Sequence, residues 1–231
     1  MAPEAVRLSI VLPVLNEAGG IARALAALRP LSDRGAQVLV VDGGSHDDTV
    51  ARARAHGAAV IMAERGRALQ MNAGAQAARG EQLLFLHADT LLPPDADRLI
   101  DAALAQRAWG RFDVRIEGRH PMLRVVAAMM NLRSRLTGIA TGDQALFVRR
   151  EAFDRVGGFP RQPLMEDIEL SRRLRRCSAP ACVRARVVTS GRRWERDGVW
   201  RTIVLMWRLR LAYFLGVPPE RLHARYERKP S

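Results

Sequence analysis

The chain has 231 residues, of which 48% are hydrophobic and 26% charged, so its composition excludes a disordered chain and suits an α/β enzyme with one core. The formal net charge of +13 would suit a nucleic-acid, membrane or phosphate-rich partner. However, the basic residues are all arginine except Lys229, are spread along the chain and form no zinc finger, helix-turn-helix or RNA-binding aromatic motif, so we expect no nucleic-acid partner.

The N-terminal part of the chain alternates apolar runs with helical patterns. Residues 9–14 form a short, β-branched run that predicts a strand. Ile21, Leu25 and Leu28 then recur at helical spacing, and residues 37–41 predict a second buried strand. The order strand, helix, strand is typical of a parallel sheet.

The same alternation continues to about residue 86. Ser45 and Asp48 resemble a helix N-cap and its partner three residues on, and Gly57 is expected to close that helix. The next elements are a strand at 59–62, a helix at 66–79 ended by Gly80, and a strand at 82–86. Apolar strands separated by helices predict an α/β fold whose central, mainly parallel sheet is flanked by helices on both faces.

Polar residues follow three of these strands, at the ends where ligands bind in open parallel sheets. They are Asn16-Glu17, Asp42-Gly-Gly-Ser-His-Asp47 and His87-Ala-Asp89-Thr90. Each alone also suits an ordinary loop, but their joint placement indicates a ligand site. The sequence has no Gly-x-Gly-x-x-Gly after the first strand and no Gly-x-x-x-x-Gly-Lys-Ser/Thr, which argues against a dinucleotide oxidoreductase and a P-loop phosphotransferase.

Together these motifs resemble family 2 glycosyltransferases, which are inverting enzymes with the nucleotide-sugar-binding GT-A fold. The chain looks most like a bacterial subgroup of short, soluble members that carry His-Ala-Asp where most relatives carry Asp-x-Asp. The stretches that carry the resemblance are Ser9-Ile-Val-Leu-Pro-Val-Leu-Asn-Glu17, Val40-Val-Asp-Gly-Gly-Ser-His-Asp-Asp-Thr49, Gly66-Arg-Ala-Leu-Gln-Met-Asn-Ala-Gly74, Phe85-Leu-His-Ala-Asp-Thr90, Gly157-Gly-Phe-Pro160 and Met165-Glu-Asp-Ile-Glu-Leu170.

The resemblance implies a donor site for a nucleotide sugar, with a UDP-sugar favoured by the habit of the family. Asp89 would hold Mn²⁺ or Mg²⁺, cations that prefer oxygen ligands and neutralise a leaving diphosphate. His87 would bind the donor sugar or nucleotide, or else pack, and Arg67 would contact phosphates or lie on a solvated helix face. The other implied donor-binding residues are Pro13, Asn16, Glu17, Asp42, Gly43, Gly44 and Ala88.

The second half of the chain is expected to bind the acceptor. Glu166 and Asp167 start an amphipathic helix, where the helix dipole alone favours carboxylates. By the resemblance, Asp167 is the base that takes the acceptor proton and Glu166 assists in sugar or acceptor binding, although the two roles could be exchanged. Asp143 and Gln144 lie in a loop before an apolar run and are expected near the donor sugar or the acceptor.

A basic and aromatic segment follows near residue 190. Ser190-Gly-Arg-Arg-Trp194 lacks the glutamine of the Gln-x-x-Arg-Trp motif in processive polysaccharide synthases, which argues against processivity. Two readings of Arg193 and Trp194 stay open. They would bind diphosphate and stack on a sugar, or simply cover a surface.

We expect residues 1–231 to form a single glycosyltransferase domain. Within it, about 7–117 would bind the nucleotide sugar, about 118–196 would bind the acceptor, and about 197–231 would form a C-terminal helical extension.

Two apolar stretches, 121–131 and 199–216, raise the question of membranes. Neither predicts a spanning helix, because Arg201, Arg208 and Arg210 interrupt the second stretch. This stretch would either lie on a membrane surface, which suits a lipid-linked acceptor, or pack on the domain or on a second subunit of a homodimer.

Two further features bear on location. The N-terminus lacks the basic start, apolar stretch and cleavage site of an export signal, which predicts a cytoplasmic protein, with peripheral contact at the inner face of the membrane as the alternative. Cys177 and Cys182 are too few for a disulfide framework and have no second Cys/His pair for zinc, so we expect buried, unreactive thiols.

The sequence therefore predicts an inverting transfer of a sugar to an unidentified hydroxyl acceptor, either a small molecule or a lipid-linked one. Two alternatives stay open. A nucleotidyltransferase of related fold would release pyrophosphate from a nucleoside triphosphate. A basic module with a degenerate enzyme fold would bind nucleic acid or an anionic membrane surface in a salt-sensitive way, without affinity for nucleotides.

Overall fold

The computed structural model describes residues 6–227, which form ten α-helices, one short 3₁₀ helix and eight strands. The strands are β1 (Leu8–Val14), β2 (Gln37–Asp42), β3 (Ala59–Met62), β4 (Gln82–Phe85), β5 (Thr90–Leu91), β6 (Trp109–Glu117), β7 (Phe147–Arg149) and β8 (Ala181–Ser190). The helices are α1 (Ile21–Ser32), α2 (Thr49–Ala55), α3 (Arg67–Ala77), α4 (Ala96–Gln106), α5 (Met122–Thr137), α6 (Arg150–Arg155), α7 (Glu166–Leu174), α8 (Arg192–Asp197), α9 (Val199–Phe214) and α10 (Pro219–Glu227). The 3₁₀ helix is Gly142–Gln144, directly before β7.

The strands form one sheet in the order β3-β2-β1-β4-β7-β6-β8-β5. Parallel pairing joins β3, β2, β1 and β4, as predicted, and also joins β6 to β8. In contrast, β7 is antiparallel to both β4 and β6, and β5 is antiparallel to β8. β6 runs in the same direction as β4, to which it is connected through β5 and α4, and β7 fills the gap between them in the opposite direction. The sheet is therefore mixed, with the predicted parallel arrangement in its first half.

Helices cover both faces of the sheet, and alternate residues of a strand pack on opposite faces. Ile10 and Leu12 of β1 belong to a core cluster with α1, α4 and α5. Val11, between them, belongs to a second cluster with α3, α6 and α7. This double burial explains why β1 is an unbroken apolar run rather than an alternating one.

The start of α2 differs from the prediction. The helix begins at Thr49 with Asp48 at the N-cap, and no side-chain hydrogen bond caps it. Ser45 does not cap the helix, because its hydroxyl donates a hydrogen bond to Asp42 and accepts one from the backbone N–H of Asn16. The Ser45 side chain, which the local pattern predicted to be the helix N-cap, therefore belongs to a turn centred on Asp42.

Helices α8 to α10 follow the last strand. The buried side of α9 consists of Val199, Thr202 and Leu209, and Leu209 packs in a cluster with Met165 and Leu222. This segment therefore packs on the domain along one side. Within residues 6–227 no helix is long and apolar enough to cross a bilayer.

The prediction that both cysteines are buried is wrong. Cys177 is exposed and Cys182 is half-buried. Cys177 lies in the turn that leaves α7 beside two arginines, so the chain there faces solvent.

Candidate active site

The order of the strands reverses between β1 and β4. From β1 the chain moves outward to β2 and β3 and then returns to β4 on the other side of β1. Such a reversal leaves a crevice at the carboxyl ends of the strands, where ligands bind. Pro13 is half-buried within β1, Asn16 and Glu17 follow this strand, and His87 and Asp89 follow β4. The predicted donor-binding residues therefore border this crevice.

The loops after β1 and β2 are joined by hydrogen bonds between residues of the two motifs. The backbone N–H of Asn16 donates to Ser45 Oγ at 2.9 Å, and its Oδ1 accepts from the N–H of His46 at 2.9 Å. The N–H of Glu17 donates to Thr49 Oγ1 at 2.7 Å. These contacts hold the two loops as one unit.

Asp42 is fully buried at the end of β2. Its Oδ2 accepts the N–H groups of Gly44 and Ser45, each at 2.8 Å, and its Oδ1 accepts the hydroxyl of Ser45. Gly44 adopts a left-handed φ of +88°, as the turn requires. Gly43 leaves room for Gln70, because a Cβ there would lie 2.9 Å from Gln70 Cδ. The structure thus shows Asp42, Gly43 and Gly44 building the loop, and their direct contact with a nucleotide stays a prediction.

Helix α3 is anchored to this edge through its polar side chains. Gln70 Nε2 donates to the carbonyls of Val14 and Val41, at 2.8 Å each. Asn72 exchanges two hydrogen bonds with the backbone of Phe159, at 2.9 and 3.0 Å. The Gly66–Gly74 and Gly157–Pro160 motifs are therefore packed against each other.

His87 lies between the β4 loop and the 3₁₀ helix. Its Nδ1 is 3.3 Å from Asp143 Oδ1, and a Cβ on Gly142 would lie 2.5 Å from its Cε1 and Nε2 atoms. The Nε2 atom is buried and has no hydrogen-bond partner among the described residues. Ala88 is buried beside it, and the Asp89 side chain is exposed. One ring nitrogen of His87 is thus held by the protein, and the other is unpaired.

Glu166 and Asp167 begin α7, as predicted. Asp167 Oδ2 accepts the N–H of Gly142 at 2.9 Å, and its Oδ1 accepts the N–H of Ile168 at 2.7 Å. Glu166 is only 4% exposed, and its Oε1 lies 3.9 Å from Arg67 Nη1. Asp167 is therefore fixed against the 3₁₀ helix that also contacts His87.

The two adjacent carboxyl groups share an unfavourable electrostatic environment. Burial and the negative charge of Asp167 raise the pKa of Glu166 to about 7, although Arg67 opposes this shift. Burial also raises the pKa of Asp167, against the effect of its two backbone hydrogen bonds. In contrast, the hydrogen bond from His87 and the charges of Arg67 and Arg193 lower the pKa of Asp143 more than burial raises it. The pair on α7 is therefore the part of the site that holds a proton near neutral pH.

A small pocket, of only about 10 Å³, brings residues from four segments together. Its polar lining comes from Arg67 on α3, His87 after β4, Gly142 in the 3₁₀ helix, and Glu166 and Asp167 on α7. Its apolar lining is Met71, Phe85, Leu146 and Phe159. The predicted acceptor pair and the predicted donor residues Arg67 and His87 thus meet in one place.

Backbone positions with positive φ lie next to several of the predicted site residues. The non-glycine residues with positive φ, within the part of the chain that the structure describes, are Asn16 at 55°, Ala145 at 48° and Met165 at 65°. They directly adjoin Glu17, Gln144 and Glu166 in sequence. Such conformations cost free energy and cluster at functional sites, so their placement supports this edge as the site.

The other predicted acceptor-side residues differ in accessibility. Asp143 is partly exposed beside His87. Gln144 is fully buried, where its side chain forms a capping box with Thr141 and lies 3.4 Å from Asn131 Oδ1. Trp194 is half-buried against the core. Gln144 and Trp194 therefore support the site from within, and sugar contact by either stays a prediction.

Tyr226 could not be identified from the sequence, because nothing local distinguishes it. It lies on α10, where Arg193 stacks 4.2 Å from its ring centre and also bonds its hydroxyl. Burial raises its pKa, and the charges of Arg193 and Arg67 oppose that rise. The C-terminal helix therefore reaches the arginines of the site, a contact that only the tertiary fold creates.

Arg133 was also missed. It lies on α5, and its Nε and Nη2 atoms are buried without hydrogen-bond partners among the described residues. Burial lowers its pKa, and the charge of Asp167 opposes that shift. A guanidinium with two buried, unpaired nitrogens thus lies within electrostatic reach of Asp167. Its position among apolar residues in a helical pattern gave no local signal.

Asp89, the predicted metal ligand, lies in the loop after β4. Its carboxylate is exposed, and its Oδ1 accepts a 3.4 Å hydrogen bond from Thr90. Burial and then the charge of Asp89 raise the pKa of Glu17, so the two carboxylates lie close enough to repel each other. Within residues 6–227, no group of three or more His, Cys, Asp or Glu side chains could hold a metal ion. A divalent cation here would need a bound diphosphate and water as further ligands, which suits Mg²⁺ and Mn²⁺.

A larger groove of about 580 Å³ lies elsewhere, beside the start of β4. Two arginines in its lining bind backbone carbonyls of the protein itself. Arg149 donates to the carbonyl of Leu104, and Arg150 donates to the carbonyls of Gly80 and Ala78 at 2.9 and 2.8 Å. This groove lies at the opposite end of the parallel strands from the crevice and is not the candidate site.

The family model described as "Glycosyl transferase family 2" matches residues 9–157. This range contains the donor-side motifs together with Asp143 and Gln144, and it ends before Glu166 and Asp167. Among curated proteins, no sequence matches the chain.

Solved structures with similar folds include glucosyl-3-phosphoglycerate synthase from Mycobacterium tuberculosis. Its complex with Mg²⁺ and UDP is 23% identical, with a TM-score of 0.60, over 79% of this chain and 70% of that one. Its complex with Mn²⁺, UDP-glucose and phosphoglyceric acid is 24% identical, with the same TM-score and coverage. A mycobacterial protein is 22% identical with a TM-score of 0.59, over 80% of this chain and 65% of that one. The matched part thus spans about two thirds of these longer chains, and the predicted GT-A fold is confirmed.

Proposed function

Because the chain belongs to glycosyl transferase family 2, we propose that it is an inverting enzyme that moves a sugar from a UDP-sugar to an acceptor hydroxyl. The observation that carries this proposal is the pocket shared by Arg67, His87, Glu166 and Asp167. It combines the two functions that glycosyl transfer needs, which are positive charge for a departing diphosphate and a carboxylate for the hydroxyl proton.

On the donor side, Asp89 with the neighbouring Glu17 would hold Mn²⁺ or Mg²⁺. When bound, the cation would neutralise charge on the diphosphate leaving group. The M. tuberculosis synthase was crystallised with UDP and either cation, which supports this assignment. Arg67 is half exposed and 3.9 Å from Glu166, so its guanidinium can turn to a phosphate oxygen.

On the acceptor side, Asp167 takes the proton of the attacking hydroxyl. The N–H groups of Gly142 and Ile168 hold its two oxygens, and each oxygen keeps a lone pair for the acceptor. As the O–H bond breaks, the acceptor oxygen bonds to the anomeric carbon. The bond from that carbon to the diphosphate oxygen breaks, and its electron pair leaves with the diphosphate. One displacement of this kind inverts the anomeric centre.

Glu166 supports the charge state of the base. With its pKa raised to about 7, Glu166 is largely protonated in mildly acidic solution, so Asp167 can stay ionised beside it. A protonated Glu166 can also donate a hydrogen bond to a sugar or acceptor oxygen. This division assigns the base to Asp167 and the binding contact to Glu166.

The donor is tested by calorimetric titration of UDP, GDP, TDP, CDP and ADP into the full chain, with and without Mn²⁺. We expect UDP to bind in a metal-dependent way and Asp89→Ala to weaken this binding by about a hundredfold. Asp95→Ala is the matched control, because Asp95 is also exposed, lies at the start of α4 and makes no side-chain capping bond.

The acceptor is tested by offering hydroxyl compounds, free and lipid-linked, with UDP-sugars, and by measuring release of UDP. Binding of another diphosphate alone would replace UDP as the donor nucleotide. Release of pyrophosphate from a nucleoside triphosphate would assign the chain to nucleotidyl transfer instead. Absence of binding by all five diphosphates would contradict the proposed function.

A further inference from the structure

The outer side of α9 carries a row of exposed, large apolar residues. Trp200, Val204, Trp207, Leu211 and Phe214 follow one another at spacings of four and three, so they share one helix face. Their exposed fractions run from 48% for Val204 to 70% for Trp207 and 86% for Phe214. The buried residues of α9 lie on the opposite side. An apolar row this large on solvent-facing helix surface marks an interaction site.

Arginines border this row, and α9 carries no acidic residue. Arg201 and Arg208 are exposed and lie seven residues apart, so they line one edge of the row. Arg210 lies toward the other edge and is half-buried. The surface is therefore an apolar band between positive charges.

Helix α5 also combines a row of exposed apolar residues with arginines. Val125, Met129, Leu132 and Leu136 follow at spacings of four and three and are 49–77% exposed. This helix also carries arginines and no acidic residue. The segment just before α5 lies close to α8, the element before α9, because Glu195 accepts the backbone N–H of Arg119.

We propose that the outer face of α9 docks on an anionic lipid bilayer. Tryptophan and arginine suit the boundary between headgroups and acyl chains, where the rings bury apolar surface and the guanidinium groups meet lipid phosphates. The negative charge of the lipid headgroups is complementary to the positive charge of the arginines on α9. This inference goes beyond the proposed sugar transfer and does not depend on it.

A second copy of the chain is the less favourable occupant. A two-fold interface centred on α9 would bring this helix against its own copy. The arginines of one helix would then face those of the other, with no acidic residue on either helix to compensate. A bilayer with anionic headgroups removes this repulsion and turns the same charges into attraction.

The test uses the full chain and extruded vesicles, either of phosphatidylcholine alone or with about one third phosphatidylglycerol. Co-sedimentation and tryptophan fluorescence report binding. We expect binding to the anionic vesicles only, with a blue shift of the emission, and a loss of affinity on raising the salt concentration. The doubly substituted variant W207Q/F214Q should lower the affinity by at least about tenfold, and R201Q/R208Q should weaken it while removing most of the salt dependence.

Met62→Gln is the matched control, because Met62 is 58% exposed on β3 at the far edge of the sheet. It should bind like the parent, and all variants should keep the parent unfolding temperature, since the substituted side chains are exposed. Two results would overturn the proposal. One is the absence of binding to anionic vesicles, and the other is binding that W207Q/F214Q leaves unchanged. Concentration-dependent dimers that W207Q/F214Q abolishes, without vesicle binding, would assign the face to a second copy.

Discussion

Carboxylates on the two sides of the site are held in opposite ways. On the donor side, Asp42 and Asp47 accept hydrogen bonds from backbone N–H groups and hydroxyls of the loops around them. The hydrogen bond from Thr49 is the main reason that the pKa of Asp47 is lowered. On the acceptor side, Glu166 and Asp167 are neighbours in one helical turn, and the pKa of each is raised.

The difference shows how carboxylates at the same sheet edge acquire two electrostatic environments. Hydrogen-bond donors lower the pKa of Asp47. Their hydrogen bonds also make Asp42 and Asp47 parts of the loop framework. Burial beside a like charge destabilises the ionised form and makes the Glu166–Asp167 pair able to exchange a proton near neutral pH. Substitution of Asp42 should therefore change mainly stability, and substitution of Asp167 should change mainly turnover.

The largest effect is expected for Asp167→Asn. The amide keeps the shape of the side chain but cannot take the acceptor proton, so turnover should fall by about two to four orders of magnitude. UDP affinity should stay within about twofold, because Asp167 is assigned to the acceptor and not to the donor. Steady-state kinetics and calorimetry on the same preparation measure both quantities.

The matched control for this substitution is Asp154→Asn, an exposed position on α6 that should keep full turnover. If Asp167→Asn retains turnover and Glu166→Gln loses it, the two roles are exchanged. That result would contradict the assignment of Asp167 as the base. It would not contradict the difference in pKa between the carboxylates on the two sides of the site.

The next effect is on the stability of the donor side. Asp42→Ala leaves the N–H groups of Gly44 and Ser45 and the Ser45 hydroxyl without their buried acceptor. We expect a loss of about 2–4 kcal/mol in the free energy of unfolding and a fall of about 5–15 °C in Tm. Asp48→Ala, at a side chain that is 76% exposed, should change stability by less than about 0.5 kcal/mol. An unchanged Tm in Asp42→Ala would contradict the framework role.

Much of this donor side could be predicted from the sequence, because its determinants are local. The apolar runs of β1, β2 and β4 and the polar residues that follow them lie within a few positions of one another. Parallel register then brings them together, with Val14 beside Asp42. The local pattern gave a wrong prediction at Ser45. This side chain could cap α2 or bond Asp42, and in the structure it bonds Asp42.

The second half of the sheet and the surroundings of the α7 pair depend on long-range contacts, which a local sequence pattern does not predict. β6 pairs with β8 across more than 60 residues, with a register shift between Phe112 and Asp113. Tyr226 reaches Arg193 only because α10 folds back on the site. The proximity of the α7 pair to His87 likewise rests on Gly142, whose N–H binds Asp167. Periodicity identifies such elements but not the contacts between them.

A smaller effect is expected in the pH dependence of stability. The pKa of Glu166 rises from its usual value near 4.5 to about 7 on folding, so the folded chain binds more protons than the unfolded chain between these values. The parent should lose stability as the pH rises from 4.5 to about 7, and this loss should persist at higher pH. Glu166→Gln lacks the ionisable group and should be more stable than the parent at pH 8 by about 1–3 kcal/mol, or several degrees in Tm.

At about pH 4.5 or below, the stability difference between Glu166→Gln and the parent should be small, because Glu166 is then protonated in the folded chain and increasingly so in the unfolded one. Glu151→Gln is the control, since Glu151 is exposed on α6 and pairs only with Arg155 among the described residues. Thermal unfolding of the three proteins from pH 4 to pH 8 gives the comparison. A stability difference that does not vary with pH would contradict the raised pKa.

The smallest effect tests the link between the two sides of the site. A Cβ at position 142 would lie 2.5 Å from the ring of His87, so Gly142→Ala must move His87 or the 3₁₀ helix that binds Asp167. Turnover should fall by about tenfold, with a modest loss of Tm, because a shift of a few tenths of an ångström misplaces the base. Gly19→Ala, where a Cβ meets nothing within 4 Å, should behave like the parent. Unchanged turnover in Gly142→Ala would mean that the contact between His87 and Gly142 does not position the base, and that the two sides of the site act independently.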